Sequence, residues 1–293
     1  MAKQLFLHKV SLSTFYKRRI SRIFPALYVF IAVTILLHLM LELRVSWEAA
    51  LGATALIRNY YPDGFEDTLP FDHIWSLSVE EHSYILLSAV VVLFRSKIDK
   101  QLIVLGVLSC CCIFMAALYE AKFDGPFVYG QKFVHTEVAA FGIFFSGFLL
   151  LCLRNINRAI PPYVFYALPV VVVVTYNVSA PYSVKMLVGL GALALTVNIL
   201  HKAPGWMLRA LSSTGLRKLG LWSYSLYLWQ QPFFALKNKE IISAPTAFVL
   251  ALTAGIVSYY LIEAPARNYL NKTWAKKKPQ PTALSTSDAA TVV

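Results

Sequence analysis

Charge is what this chain has least of. Only 14% of its 293 residues are Asp, Glu, Lys or Arg, while 58% are hydrophobic; a soluble domain carries about 25% charged residues. That shortage excludes an ordinary water-soluble domain. Cysteine is scarce too, with four residues. Cys110, Cys111 and Cys112 are consecutive in one apolar run and Cys152 sits in another. None has a histidine at metal-ligand spacing, so neither a disulfide framework nor a metal site is expected. The apolar runs do not alternate with polar residues, which argues against a β-barrel. The opening MAKQLFLHKV holds no long apolar stretch, so no cleavable leader is expected. No internal repeat and no second domain can be seen.

What the chain does have is apolar runs, at about 24–42, 47–60, 76–94, 101–119, 137–153, 163–177, 183–200, 221–236 and 244–262. Several approach the roughly 20 residues that a spanning helix needs. The expected fold is all-α, a polytopic transmembrane bundle of about nine membrane-embedded helices. Residues 1–270 form the transmembrane domain. Residues 271–293 are expected to be a disordered cytoplasmic tail, polar and proline-containing after Trp274.

The net charge of +12 would suggest nucleic acid in a soluble protein. Here the cations flank apolar runs, so the excess of Lys and Arg on the cytoplasmic side explains them, and the expected partner is a lipid bilayer. The loops at 95–100, 154–158 and 201–218 are basic, and those at 60–74 and 119–126 are acidic or balanced. The last seven helices then alternate with the C-terminus inside, in a bacterial inner membrane. Two spans at 24–42 and 47–60 would break that alternation. The segment 47–60, short and carrying Arg58, is therefore expected to be re-entrant.

Four polar places interrupt the apolar pattern. In DHIWSLSVEEHSYIL, from residue 72, Glu80 and Glu81 enter an apolar helix. An acid deep in a bilayer costs roughly 2.5–3.5 kcal/mol. Ser76, Glu80, Ser83 and Tyr84 share one helical stripe, which should face a wet interior, with His73 and Trp75 just ahead. The bland alternative is a hydrated interfacial pair, or one neutralised by Arg58 or Arg22. In FYKRRISRIFPAL, Arg18, Arg19 and Arg22 fall on neighbouring helical positions, and arginine forks suit phosphate; topology alone would also place cations there. In LGLWSYSLYLWQQPFF, Ser223, Tyr224, Tyr227 and Gln230 read either as substrate contacts or as interhelical hydrogen bonds. Glu263 and Arg267, four apart in SYYLIEAPARNYL, read as an interfacial ion pair, and His38, His135 with Glu137, and His201 as ordinary hydrogen-bonded residues.

These four stretches, in this order over about residues 15–270, resemble the acyltransferase family 3 of bacterial membrane proteins. The Trp-Ser-Leu-x-Val-Glu-Glu block is the most specific of them. Members O-acylate surface and exported carbohydrates, including lipopolysaccharide O-antigen, exopolysaccharides and nodulation factors, and some antibiotics. The resemblance implies acyl transfer, acetyl above all, from acyl-CoA to a hydroxyl of a glycan or glycolipid. Arg18, Arg19 and Arg22 would bind the CoA. Glu80, Glu81 and His73 would be catalytic. Trp75, Tyr84, Ser223, Tyr224, Tyr227 and Gln230 would contact substrate, and no metal is implied. Family members usually begin with one or two further helices, the first carrying a histidine thought to be the general base. This chain starts just before the arginine motif, and Gln230 stands where a histidine is common. Either sequence ahead of Met1 is missing, or the base is lost or moved, with His73 as the only local candidate; His8 lies in a polar lead-in. Two other readings remain: a secondary transporter or exporter, whose proton coupling would use the same acids, and a truncated non-catalytic relative.

Overall fold

The computed structural model describes residues 2–7, 10–60, 69–95, 97–122, 132–156 and 159–276. Among these residues every regular element is helical. The helices are α1 (Ala2–Phe6), α2 (Leu12–Met40), α3 (Trp47–Thr54), α4 (Asp72–Leu93), α5 (Ile98–Lys122), α6 (Thr136–Leu153), α7 (Val164–Asn177), α8 (Tyr182–Lys202), α9 (Gly205–Leu211), α10 (Thr214–Asn238) and α11 (Ala244–Trp274). Each of the nine apolar runs falls on one of them. Six, namely α2, α4, α5, α6, α8 and α11, are long and apolar enough to cross a membrane. α7 is apolar but has 14 residues, and α10 has 25 but carries a polar face. The helix of α11 runs on to Lys276, past the expected boundary at 270.

This is a membrane protein turned outward as such proteins are. Ile103, Val107 and Phe114 on α5, and Phe248, Val249 and Leu261 on α11, are exposed, where lipid rather than water can meet them. Inside lie two apolar clusters. One joins α4, α5 and α6 through Leu87, Leu105, Phe141 and Phe144. The other joins α2, α3 and α10 through Leu27, Phe30, Ala53 and Leu228. The candidate site lies along the seam between them.

The segment 47–60 does not form a spanning helix. α3 has eight residues and is about 12 Å long at 1.5 Å per residue, against a hydrocarbon core of about 30 Å. It packs Ala49, Ala50 and Ala53 into the second cluster. The chain then reverses at Leu56, whose φ is 57°, and closes with a tight turn at Arg58–Tyr60. Arg58 is 1% exposed and donates to Asp72 Oδ1 at 2.6 Å. A buried guanidinium needs such a partner, and the turn is held inside protein.

Two close approaches set the remaining geometry. Ala247, Ala251, Gly255 and Ser258 recur along α11 on the side that faces α10. A Cβ at Gly255 would lie 2.8 Å from the Leu226 Cα, so only glycine lets the two backbones come this near. Ser21 Oγ of α2 donates to Asn271 Oδ1 at 3.3 Å. The start of α2 and the end of the last helix are therefore at the same end of the bundle.

Candidate active site

α2 and α4 run antiparallel in a register that side chains fix at three levels. Tyr16 OH donates to Ser88 Oγ at 3.0 Å. Arg19 meets Glu81, and the Phe30 ring meets the edge of His73, centroids 5.7 Å apart. As residue numbers rise on α2 they fall on α4. The middle level is ionic. Arg19 Nε donates to Glu81 Oε1 at 2.7 Å and Nη1 to Glu80 Oε1 at 3.3 Å. Tyr84 OH donates to the same Glu80 oxygen at 3.0 Å, and the Arg19 guanidinium carbon sits 3.9 Å from the centre of the Tyr84 ring. At 1.5 Å per residue, Glu81 lies about 13 Å along α4 from Asp72 and about 18 Å from Leu93. The charges thus lie well inside α4, though only about 10 Å from the start of α2 at Leu12. An unpaired buried ion would cost several kcal/mol. Arg19 is only 2% exposed, and two carboxylates plus an aromatic face compensate it. Its Nη2 is buried with no hydrogen-bond partner.

Beside this cluster opens a cavity of about 310 Å³, lined by Arg19, Arg22, Ile23, Ser76, Leu77, Glu80, Ser223, Tyr224 and Tyr227. α10 supplies one wall, and two tyrosines lock it in place. Tyr224 OH donates to the Ile23 carbonyl at 2.9 Å. Tyr227 OH donates to the His73 carbonyl and lies 2.9 Å from Ser76 Oγ. Two charged groups face the space differently. The Glu80 side chain is 40% exposed, whereas Glu81 is 12% exposed and sits behind it. Among the described residues Arg22 makes no hydrogen bond or close ion pair, but its charge acts on the buried Glu263. The cavity therefore presents one accessible carboxylate, one guanidinium without a hydrogen bond and several hydroxyls.

The expected site residues divide on this geometry. Arg19, Arg22, Glu80, Ser223, Tyr224 and Tyr227 come together on the cavity. Tyr84 lies beneath Arg19, packed into the first apolar cluster. Arg18 is exposed and does not line the cavity. Trp75 packs against the first apolar cluster. Gln230 is exposed in a separate groove between α10 and α11, with Gln231, Phe234 and Lys237. His73 lies behind Tyr227, ring centroids 4.9 Å apart, with both ring nitrogens buried and lacking hydrogen-bond partners. The carboxylates' counter-ion is Arg19, not Arg58 or Arg22, because α2 crosses α4 at that level while Arg58 is taken by Asp72. The stripe also splits: Ser83 Oγ turns away to donate to the Val79 carbonyl. His8 lies outside the described residues.

Two polar groups are more than their sequence suggested. Glu263 is fully buried, and its expected partner Arg267 is at ion-pair distance, with Nη1 3.8 Å away. Glu263 also accepts from Ser225 Oγ at 2.8 Å. α11 widens at Tyr259–Glu263, and such an extra-residue turn re-aims side chains in a way that 3.6-residue counting misses. Glu137 gathers Tyr60 OH (3.0 Å), Tyr119 OH (2.8 Å) and His135 Nδ1 (3.2 Å). Nearby, Thr136 Oγ1 accepts from Asn59 Nδ2 at 3.0 Å and lies 2.8 Å from His82 Nδ1. These bonds tie the turn after α3 to α4, α5 and α6.

A carboxylate, a cation and hydroxyls around one intramembrane cavity, contributed by the stretches about Arg19, Glu80 and Tyr224, are what the sequence resemblance demands of its motifs. The profile described as an acyltransferase domain matches residues 3–264. The chain belongs to acyltransferase family 3. Two curated relatives are each 24% identical to it. The protein named "Putative peptidoglycan O-acetyltransferase YrhL" of Bacillus subtilis aligns over 86% of this chain and 45% of its own length. The peptidoglycan O-acetyltransferase OatA of Listeria monocytogenes aligns over 88% of this chain and 47% of its own. The chain thus spans less than half the length of these curated relatives. No solved structure matches it significantly. Within the family frame, the Arg-x-x-Arg motif has divided labour here. Arg19 is tied to both acids of the Glu-Glu block, and Arg22 is left facing the cavity.

Proposed function

We propose that this chain is an integral-membrane O-acyltransferase that moves an acyl group, acetyl in the first instance, from acyl-CoA to a hydroxyl of a cell-envelope glycan. The observation that carries the reading is the cavity where Glu80 and Arg22 face one another's space beside the Arg19 ion cluster. Peptidoglycan is the first acceptor to test, because both relatives are named for it. Lipopolysaccharide and exopolysaccharide are the next. The inner membrane and a cytoplasmic C-terminus follow from the charge bias of the loops.

In this reading the acceptor hydroxyl attacks the thioester carbonyl, the C–O bond forms, the C–S bond breaks, and the hydroxyl proton ends on the CoA thiol. Glu80 takes that proton as general base. Tyr84 and Arg19 hold the Glu80 carboxylate through one oxygen, leaving the other for the substrate. Arg22, and the spare Nη2 of Arg19, meet the oxyanion as it forms. His73 has no route to the cavity except through Tyr227, so Glu80 is preferred to it as base. The test is transfer of radiolabelled acetyl from acetyl-CoA to muropeptides by the purified full chain in liposomes. Labelled product that disappears with Glu80→Gln supports the reading. Uptake or efflux of a solute without acyl transfer would replace it with the transporter, and binding of acetyl-CoA without turnover with the non-catalytic relative.

A further inference from the structure

A second recess, sharing no lining residue with the first, lies where α1, α6 and α8 end. Its volume is about 440 Å³, and Lys3, Arg154, His201 and Lys202 line it over an apolar floor that includes Leu150 and Val197. No Asp or Glu lines it. Asn198 Nδ2 donates to Ser146 Oγ at 3.0 Å, pinning α8 to α6 and fixing the wall. The three cations and the histidine are not equally engaged. Lys202 Nζ donates to the Ile156 carbonyl and His201 Nδ1 lies 3.0 Å from the Asn198 carbonyl. The side chains of Lys3 and Arg154 make neither a hydrogen bond nor an ion pair.

Cations at helix C-termini are individually favourable, by about 0.3–1 kcal/mol each, and the loops carrying Arg154 and Lys202 are those the charge bias assigns to the inner side. Both effects explain cations at that end of the bundle. Neither explains why three cations and a histidine, from three separate elements, surround a single recess without an acid among its lining. Like charges repel, and an anion held among them would relieve that repulsion. We propose that this recess binds a phosphate group. The guanidinium of Arg154 supplies the two-pronged contact, and Lys3 and the Nε2 side of His201 supply the remaining charge and hydrogen bonding. Such a phosphate has two possible carriers: the nucleotide end of the acyl donor, or the headgroup of an anionic phospholipid. The first rests on the acyltransferase reading; the second does not.

The experiment uses the purified full chain in maltoside detergent, which brings no phosphate. Adenosine 3′,5′-bisphosphate, the donor's nucleotide without its thioester, is titrated by calorimetry. Phosphatidylglycerol is titrated separately by native mass spectrometry, with phosphatidylcholine as the comparison lipid. One of the two anionic probes is expected to bind saturably, and Lys3→Gln/Arg154→Gln to weaken it at least tenfold, while Arg154→Lys retains part of the affinity. Bisphosphate binding identifies a nucleotide site; binding of phosphatidylglycerol in preference to phosphatidylcholine identifies a lipid site. If the double variant does not fold, by thermal unfolding, Arg154→Gln alone takes its place. Absence of saturable binding by either probe, or equal binding by wild type and variant, overturns the proposal. No readout requires turnover, so loss of acyl transfer would leave this result standing, and the reverse also holds.

Discussion

Arg19 and Glu81 meet at 2.7 Å across the α2–α4 interface, and Glu80 completes the pair from the next residue. This contact joins residues 62 positions apart. It is both the electrostatic support of the bundle and one side of the candidate active site, and these two roles can be separated.

Removing Arg19 leaves carboxylates without their counter-ion in a low-dielectric interior. Arg19→Ala should lower stability by about 3–5 kcal/mol. The apolar pair Arg19→Met/Glu81→Leu should regain most of it, since well-packed isosteres are often neutral or stabilising there. Acyl transfer should remain lost in both. Thermal unfolding in detergent, alongside the transfer assay, checks this. An active double variant would reduce the cluster to scaffolding.

Arg22 makes no hydrogen bond among the described residues, but its charge helps to offset that of the buried Glu263. Arg22→Ala should therefore cost only about 1 kcal/mol of stability. Acyl transfer should fall by about 10²–10³-fold, the usual cost of a lost oxyanion donor. Arg22→Lys should recover part of the rate. If Arg22→Ala retained wild-type kcat, the guanidinium would have no part in the chemistry.

Glu80→Gln keeps an oxygen to accept from Tyr84 and changes little in volume. The protein should fold, and the transfer rate should fall by about 10²–10⁴-fold, as for a lost general base. His73→Gln should leave the rate within a few-fold of wild type. A dead His73 variant with an active Glu80 variant would reassign the base.

Gly255 should tolerate no larger residue. A Cβ there would meet the Leu226 Cδ2 at 2.5 Å and, unlike a side-chain tip that could turn away, the Leu226 Cα at 2.8 Å. Gly255→Ala should cost about 1–3 kcal/mol, the range for overpacking. At Gly189 the corresponding contact is the edge of the Tyr176 ring, at 2.7 Å, which can turn, so Gly189→Ala should cost less. Comparing the two melting temperatures in one detergent decides it.

Much of the site was visible before the fold. Glu80, Arg19 and Tyr224 stood out because polar groups in apolar helices are expensive and need a reason to be there. Helical counting put Ser76 and Glu80 on one face, and both line the cavity. The failures have physical causes as well. Gln230 has the same composition cue as Tyr227, but three residues turn a helix by about 300°, and it points to the lipid-side groove. Arg18 is one position from Arg19, about 100° around α2, and that rotation separates an exposed cation from a buried one. The Glu263–Arg267 pair was legible from their spacing of four, but the Ser225 bond that Glu263 also accepts was not, because a widened turn cannot be seen in the spacing of its neighbours.

Sequence by itself determined the solvent, the element type and the lengths. A chain this apolar, in runs of this size, must satisfy its backbone within helices in lipid, and the cost of intramembrane charge marks the residues worth asking about. Tertiary structure alone decided the partners: Arg19 with Glu80 and Glu81, Arg58 with Asp72, Glu263 with Ser225, His73 enclosed without one. Local periodicity reports which face a side chain is on. Which charge it meets depends on the level at which two helices cross, and that is set by packing between residues 14 to more than 60 positions apart.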